Sequence, residues 1–151
     1  MTLEERLVQD IKAAMKAGEK ATVETLRLLR AQIKDARISK RSDLTESEVE
    51  QIIATAAKKR RESIELFEKG NRGDLVQKEK KELDLILSYL PEQLSTDELR
   101  KIIEQKINAL NVSSEKETGR IMREIMPELK GKADGKLVQQ MVRELLTSMM
   151  Q

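Results

Sequence analysis

Ser88-Tyr89-Leu90-Pro91-Glu92-Gln93-Leu94-Ser95 is the stretch on which the reading of this chain turns. It holds the only Tyr and one of the two Pro residues. Leu83, Ile86, Leu87 and Leu90 run into it at helical spacing. Pro91 stops that pattern, because proline has no N–H to donate and pushes the preceding residue out of the α region. A new helix is predicted at once. Ser95 and Glu98 have the spacing of a capping box, and Leu94 and Leu99 that of the hydrophobic staple. The stretch therefore reads as a joint between a larger N-terminal lobe, residues 1–92, and a smaller C-terminal lobe, residues 93–151.

Working back from the joint, the larger lobe reads as about four helices. Thr2 and Glu5 form a capping box, Leu3, Leu7, Val8, Ile11 and Met15 follow at helical spacing, and Gly18 ends the helix. A second helix carries Val23, Leu26, Leu29, Ile33 and Ala36 into a loop expected over residues 39–43. Thr45 and Glu48 cap a third, striped by Val49, Ile52, Ile53, Ala56, Arg60, Ile64 and Phe67. Gly70-Asn71-Arg72-Gly73 is a turn, with a Gly expected in the left-handed C-cap and Asp74 as the next N-cap. The first half of the fourth helix, Gln77 to Glu82, is polar and is expected to project beyond the core or lie on a partner.

Beyond the joint, three helices are predicted. Leu99, Ile102, Ile103, Ile107 and Leu110 stripe the first, which Asn111 ends in the left-handed region. Ser114 and Glu117 cap the second, which carries Ile121, Met122, Ile125 and Met126 and is cut short by Pro127. Lys130 to Gly135 form a tight loop, with Asp134 as N-cap of a last helix burying Leu137, Val138, Met141, Val142, Leu145 and Met149. The methionines, Met150 included, read as core filling rather than metal ligands. With no strand pattern anywhere, the fold class is all-α in two lobes.

Composition agrees. The 151 residues are 38% hydrophobic and 37% charged, which suits helices that each bury one stripe and solvate the rest. Lys+Arg 29 against Asp+Glu 27 leaves +2 with the signs interleaved, so any nucleic-acid surface must be local. Cys 0 excludes disulfides, thiolate zinc and a cysteine nucleophile, and His 0 removes the commonest general base and transition-metal ligand. No apolar run approaches the roughly 18–20 residues of a membrane span. The N-terminus lacks the basic start and apolar run of a secretory signal. A soluble cytoplasmic protein without metal or cofactor is the expectation.

The order of several short runs carries a family resemblance. Lys59-Arg60-Arg61-Glu62-Ser63-Ile64-Glu65 precedes Gly70-Asn71-Arg72-Gly73-Asp74-Leu75, then Glu79, Glu82-Leu83 and Tyr89-Leu90-Pro91. Gly119-Arg120-Ile121-Met122 and Met126-Pro127-Glu128-Leu129-Lys130-Gly131-Lys132-Ala133-Asp134-Gly135-Lys136 follow. The chain resembles the GatB/YqeY family over essentially its whole length, and its short stand-alone YqeY-like members in particular. The resemblance implies a two-lobe helical fold, also found at the C-terminus of the B subunit of glutamine-dependent tRNA amidotransferase. There, ATP and magnesium chemistry belongs to a separate domain that nothing in this chain resembles, while the helical and tail domains engage tRNA. What it implies is a tRNA-facing module without the catalytic domain. A protein-interaction adaptor is the alternative, and carbon–nitrogen ligation with glutamine as amido donor a second.

Candidate residues follow from chemistry and resemblance together. Lys130, Gly131, Lys132 and Lys136 surround a glycine turn at a helix start, where backbone N–H groups favour anions, and Arg120 and Arg123 lie on the helix before it. Phosphate binding and a plain helix connector both fit that loop. Lys58, Lys59, Arg61 and Arg72 make a secondary basic patch, which also reads as a solvated helix face. Glu79, Glu82 and Asp84 read as ion-pair partners of Arg60, Arg61 or Arg72 rather than metal ligands. With Phe67 and Tyr89 as the only aromatics, stacking on unpaired bases is not expected, and any RNA would be held by shape and backbone.

Overall fold

The computed structural model describes residues 1–149. Among them there are seven α-helices and no strand. The chain divides after Pro91 into two compact units, each with its own apolar core.

The larger unit contains α1 (Leu3–Ala17), α2 (Lys20–Lys40), α3 (Glu46–Lys69) and α4 (Gly73–Leu87). Both halves of the Thr2/Glu5 capping box form, and Gly18 closes α1 at φ 72. The same box forms at Thr45/Glu48. Leu7, Ile11, Leu26, Leu29, Ile33, Val49, Ile53 and Ile86 bury the four apolar stripes against one another. α2 runs through Ser39 and Lys40, which the sequence reading placed in the loop. Arg41 takes the left-handed cap at φ 60, and Lys40 reaches Glu48 at 2.6 Å, so the last turn is held from α3.

The 70–73 turn also differs from expectation. Asn71, not a glycine, takes the left-handed position at φ 54, and Gly70 sits at φ −87. Asn tolerates that region because its short side chain can bond locally. Asp74 lies inside the first turn of α4 rather than capping it, and pairs with Arg72. There it still complements the positive end of the helix. The polar half of α4 does not project. It lies on α3, because Arg60 faces Glu79 and Glu82.

At the joint, α4 ends at Leu87, and Tyr89 and Leu90 wind on through tight i→i−3 bonds to Ile86 and Leu87, both 3.1 Å. Tyr89 is 3% exposed, so the unit's last turn is anchored in the core. Its hydroxyl donates to Asp10 of α1, and the Arg6 guanidinium lies 4.3 Å from its ring centroid. Burial, then the hydrogen bond to Asp10, push the phenol well above its ordinary pKa. A raised phenol pKa leaves stability intact below the unfolded value of about 10 and removes it as pH rises further. We therefore expect an absorbance titration of this sole tyrosine to show phenolate only as the larger unit unfolds in alkali. Phenolate forming in the folded protein near pH ~10 would contradict the clasp.

The smaller unit contains α5 (Thr96–Ala109), α6 (Thr118–Leu129) and α7 (Gly135–Met149) around Leu99, Ile103, Ile107, Ile121, Ile125, Val138 and Val142. Ser95 accepts from Glu98 N–H, one half of the expected capping box. Asn111 is left-handed at φ 51. Ser114 caps a short 3₁₀ turn, Glu115–Glu117, and α6 starts only at Thr118. Pro127 lies inside α6 instead of ending it. Pro127 forgoes one bond, to the carbonyl of Arg123, and the burial of Leu129 holds the last turn in place. In α7 the buried stripe includes Leu146, while Leu137 and Met149 are exposed. The stripe is thus narrower and turned from the one expected. Met150 lies outside the described residues.

Candidate functional site

The loop between α6 and α7 owes its shape to three local choices. Leu129 is buried and ends α6, so the chain must leave the core at Lys130. Gly131 turns it back at φ 77, a conformation that costs glycine little. Lys132 N–H then donates to Leu129 C=O at 2.8 Å, and Asp134 C=O accepts from Val138 N–H at 3.0 Å to start α7.

The segment entering α5 clamps this loop. Gln93 Nε2 donates to Gly131 C=O at 2.6 Å, and Leu94 N–H donates to Lys132 C=O at 2.9 Å. Two carbonyls of the loop are thereby fixed, while the Lys130 and Lys132 side chains point to solvent. A cleft of about 450 Å³ opens beside them, floored by Leu94, Ile102, Ala109 and Leu129 and edged by Lys132, Lys106 and Glu128. Lys106 Nζ pairs with Glu128 at 3.0 Å across α5 and α6. The result is a cationic loop whose backbone is held at two carbonyls by the segment entering α5.

The other residues singled out from sequence fall less evenly. Lys136 is exposed in the first turn of α7, and both it and Asp134 are engaged within the protein. Arg123 is exposed on α6; Arg120, three residues earlier on the same helix, pairs with Glu117 at 3.7 Å. Lys58 and Lys59 are exposed on α3, Arg61 is half-buried and engaged, and Arg72 is committed to Asp74. That hydrogen bond raises the Arg72 pKa and lowers that of Asp74. Gln93 and Lys106 were missed. No sequence spacing links residue 93 to 131, since the bond is made only by tertiary packing.

Among the described residues no group of three or more His, Cys, Asp or Glu could hold a metal ion, and no helix is long and apolar enough to cross a membrane.

Comparison with known proteins places this geometry in context. A family described as Yqey-like protein matches residues 4–146. Altered inheritance of mitochondria protein 41, mitochondrial, of Pyrenophora tritici-repentis is 28% identical over 144 residues, 93% of this chain and 79% of its own length. The protein of the same name from Eremothecium gossypii is 41% identical over 85 residues, 56% of this chain and 46% of its own. An uncharacterized protein of Schizosaccharomyces pombe is 32% identical over 82 residues, 54% of this chain and 67% of its own. The cytoplasmic location expected from sequence is withdrawn, because the Pyrenophora and Eremothecium relatives are named mitochondrial proteins.

Proposed function

The chain belongs to the YqeY-like protein family, and from that premise we propose that it is a non-catalytic module that holds a folded tRNA by its phosphate backbone, through the α6–α7 loop. The observation that carries this reading is the clamp. Lys130 and Lys132 stand on a backbone held by Gln93 and Leu94, so two exposed lysine side chains leave the loop from anchored backbone. Phosphate contacts of this kind set position and orientation, and carry no sequence information. The aromatics fit the same picture. The smaller unit has no Phe, Tyr or Trp, so it offers no stacking platform of its own beside the loop. The resemblance of the sequence to the helical and tail domains of the tRNA amidotransferase B subunit favours tRNA as the RNA in question. The adaptor reading has less to stand on, since Glu79 and Glu82 of the polar α4 segment are occupied by Arg60.

The test is the salt dependence of tRNA binding by the full-length protein and by Lys130→Glu/Lys132→Glu. Each lost phosphate contact lowers the slope of log K against log salt by about 0.7–0.9. The double variant should therefore lose about 1.4–1.8 from the slope. It should weaken binding to every tRNA alike and keep its helical content, because both side chains lie outside the core. An unchanged slope removes the loop as the site.

A further inference from the structure

We infer that the outer face of α2, together with the adjoining face of α1, is a second phosphate-binding surface that takes the backbone of a double-helical RNA stem. This does not rest on the reading of the α6–α7 loop. α2 carries Lys20, Arg27, Arg30, Lys34, Arg37 and Lys40 against only Glu24 and Asp35. Arg27, Arg30, Lys34 and Arg37 are spaced three, four and three residues apart, which sets them along one side of the helix over about 15 Å. Two contacts fix this side against α1. Arg37 pairs with Glu4 near the start of α1, and Arg27 Nη2 lies 3.6 Å from Met15 Sδ near its end. Lys12 and Lys16 are exposed on α1, three residues before Met15 and one after it. Glu4, the carboxylate on this seam, is taken by Arg37. Arg27, Arg30, Lys34, Lys12 and Lys16 form no ion pair among the described residues.

Charge complementarity selects the occupant. A row of cations at steps of about 5 Å on a rigid helix suits a regular polyanion. By the measure of double-stranded DNA, one charge per ~1.7 Å of axis, the roughly 10 Å from Arg27 to Lys34 faces about six phosphates of a duplex. The face is unsuited to a membrane, which needs a continuous apolar stripe. The continuous stripe of α2, Val23, Leu26, Leu29 and Ile33, is in the core, and the exposed Leu28 and Ile38 stand ten residues apart. It offers no aromatic for unpaired bases, so recognition is by shape and backbone.

The experiment uses the full chain, a short fully paired RNA duplex, and two variants: Arg30→Glu/Lys34→Glu and Lys130→Glu/Lys132→Glu. Both α2 side chains are exposed, so helical content should not change. The α2 variant should lose about 1.8 from the salt slope for the duplex, the worth of two phosphate contacts. That result with an unaffected loop variant supports the α2 surface as a site distinct from the loop. Losses in both variants that multiply support both surfaces. Duplex binding with an unchanged slope in the α2 variant overturns the inference. So does α2-dependent binding of phosphatidylserine vesicles without binding of the duplex, or equal binding of polyglutamate.

Discussion

Replacing Arg60 with leucine should destabilise the larger unit by about 2–4 kcal/mol, although leucine suits the apolar stripe of α3 on which Arg60 lies. The Arg60 side chain is 22% exposed, and its Nε lies 3.1 Å from Glu82 Oε2 and 3.6 Å from Glu79 Oε2. The two carboxylates are themselves only 17% and 15% exposed. One guanidinium thus faces two carboxylates three residues apart on α4, and the cluster keeps a net negative charge. Arg60 Nε and Glu79 Oε2 are buried without an aligned hydrogen bond, so the attraction is already doing less than ideal geometry would allow. Removing the cation leaves two like charges with little water to screen them. Losing one partner of a fully buried pair costs ~3–5 kcal/mol, and the residual exposure of this one reduces that figure. Replacing all three residues with leucine should recover most of the loss, because the whole group exchanges for apolar contact. Denaturant midpoints of the two variants check this. A cost below about 1 kcal/mol for Arg60→Leu would reduce the cluster to a surface ion pair.

Ile125→Ala should unfold the smaller unit while the larger keeps its transition. Ile125 is 0% exposed at the centre of the α5–α6–α7 core. Truncating such a side chain costs ~2–5 kcal/mol through lost burial and the cavity left behind. A unit of about 60 residues has little stability to spare, because domains of that size bury only ~60% of their unfolded surface. The aromatics separate the readouts. Tyr89 belongs to the larger unit, and the smaller has no Phe, Tyr or Trp. Helicity by circular dichroism should therefore fall in two steps, the first lost at low denaturant, while Tyr89 fluorescence changes only in the second. A Tyr89 transition that moves with the variant would mean the two cores unfold as one.

The sequence was most legible where one residue type has one local use. The Thr2/Glu5 and Thr45/Glu48 boxes, Gly18 at φ 72 and Asn111 at φ 51 all follow from backbone chemistry within a few residues. Legibility fell where tertiary contacts decided between local options. Pro127 is a helix stop by propensity, yet the core contact of Leu129 carries α6 past it. The polar run from Gln77 to Glu82 was read as projecting or lying on a partner, although Arg60, which holds it on α3, was among the ion-pair partners read for Glu79 and Glu82. In the candidate site the lysines could be seen, but the clamp could not, since Gln93 and Gly131 meet only once α5, α6 and α7 share a core. The α2 stripe was hidden for a different reason. Its cations were visible, but only the structure shows that Glu4 is spent on Arg37 and that Arg27 meets Met15 at the end of α1.

The central claim is that the α6–α7 loop touches tRNA phosphate, and the most direct measurement is to crosslink purified full-length protein to tRNA at low salt and map the modified peptides. The account predicts crosslinks within residues 130–136, at Lys130 or Lys132, that disappear as salt is raised. Saturable tRNA binding whose crosslinks never fall in that loop, or no binding at low salt, would contradict it.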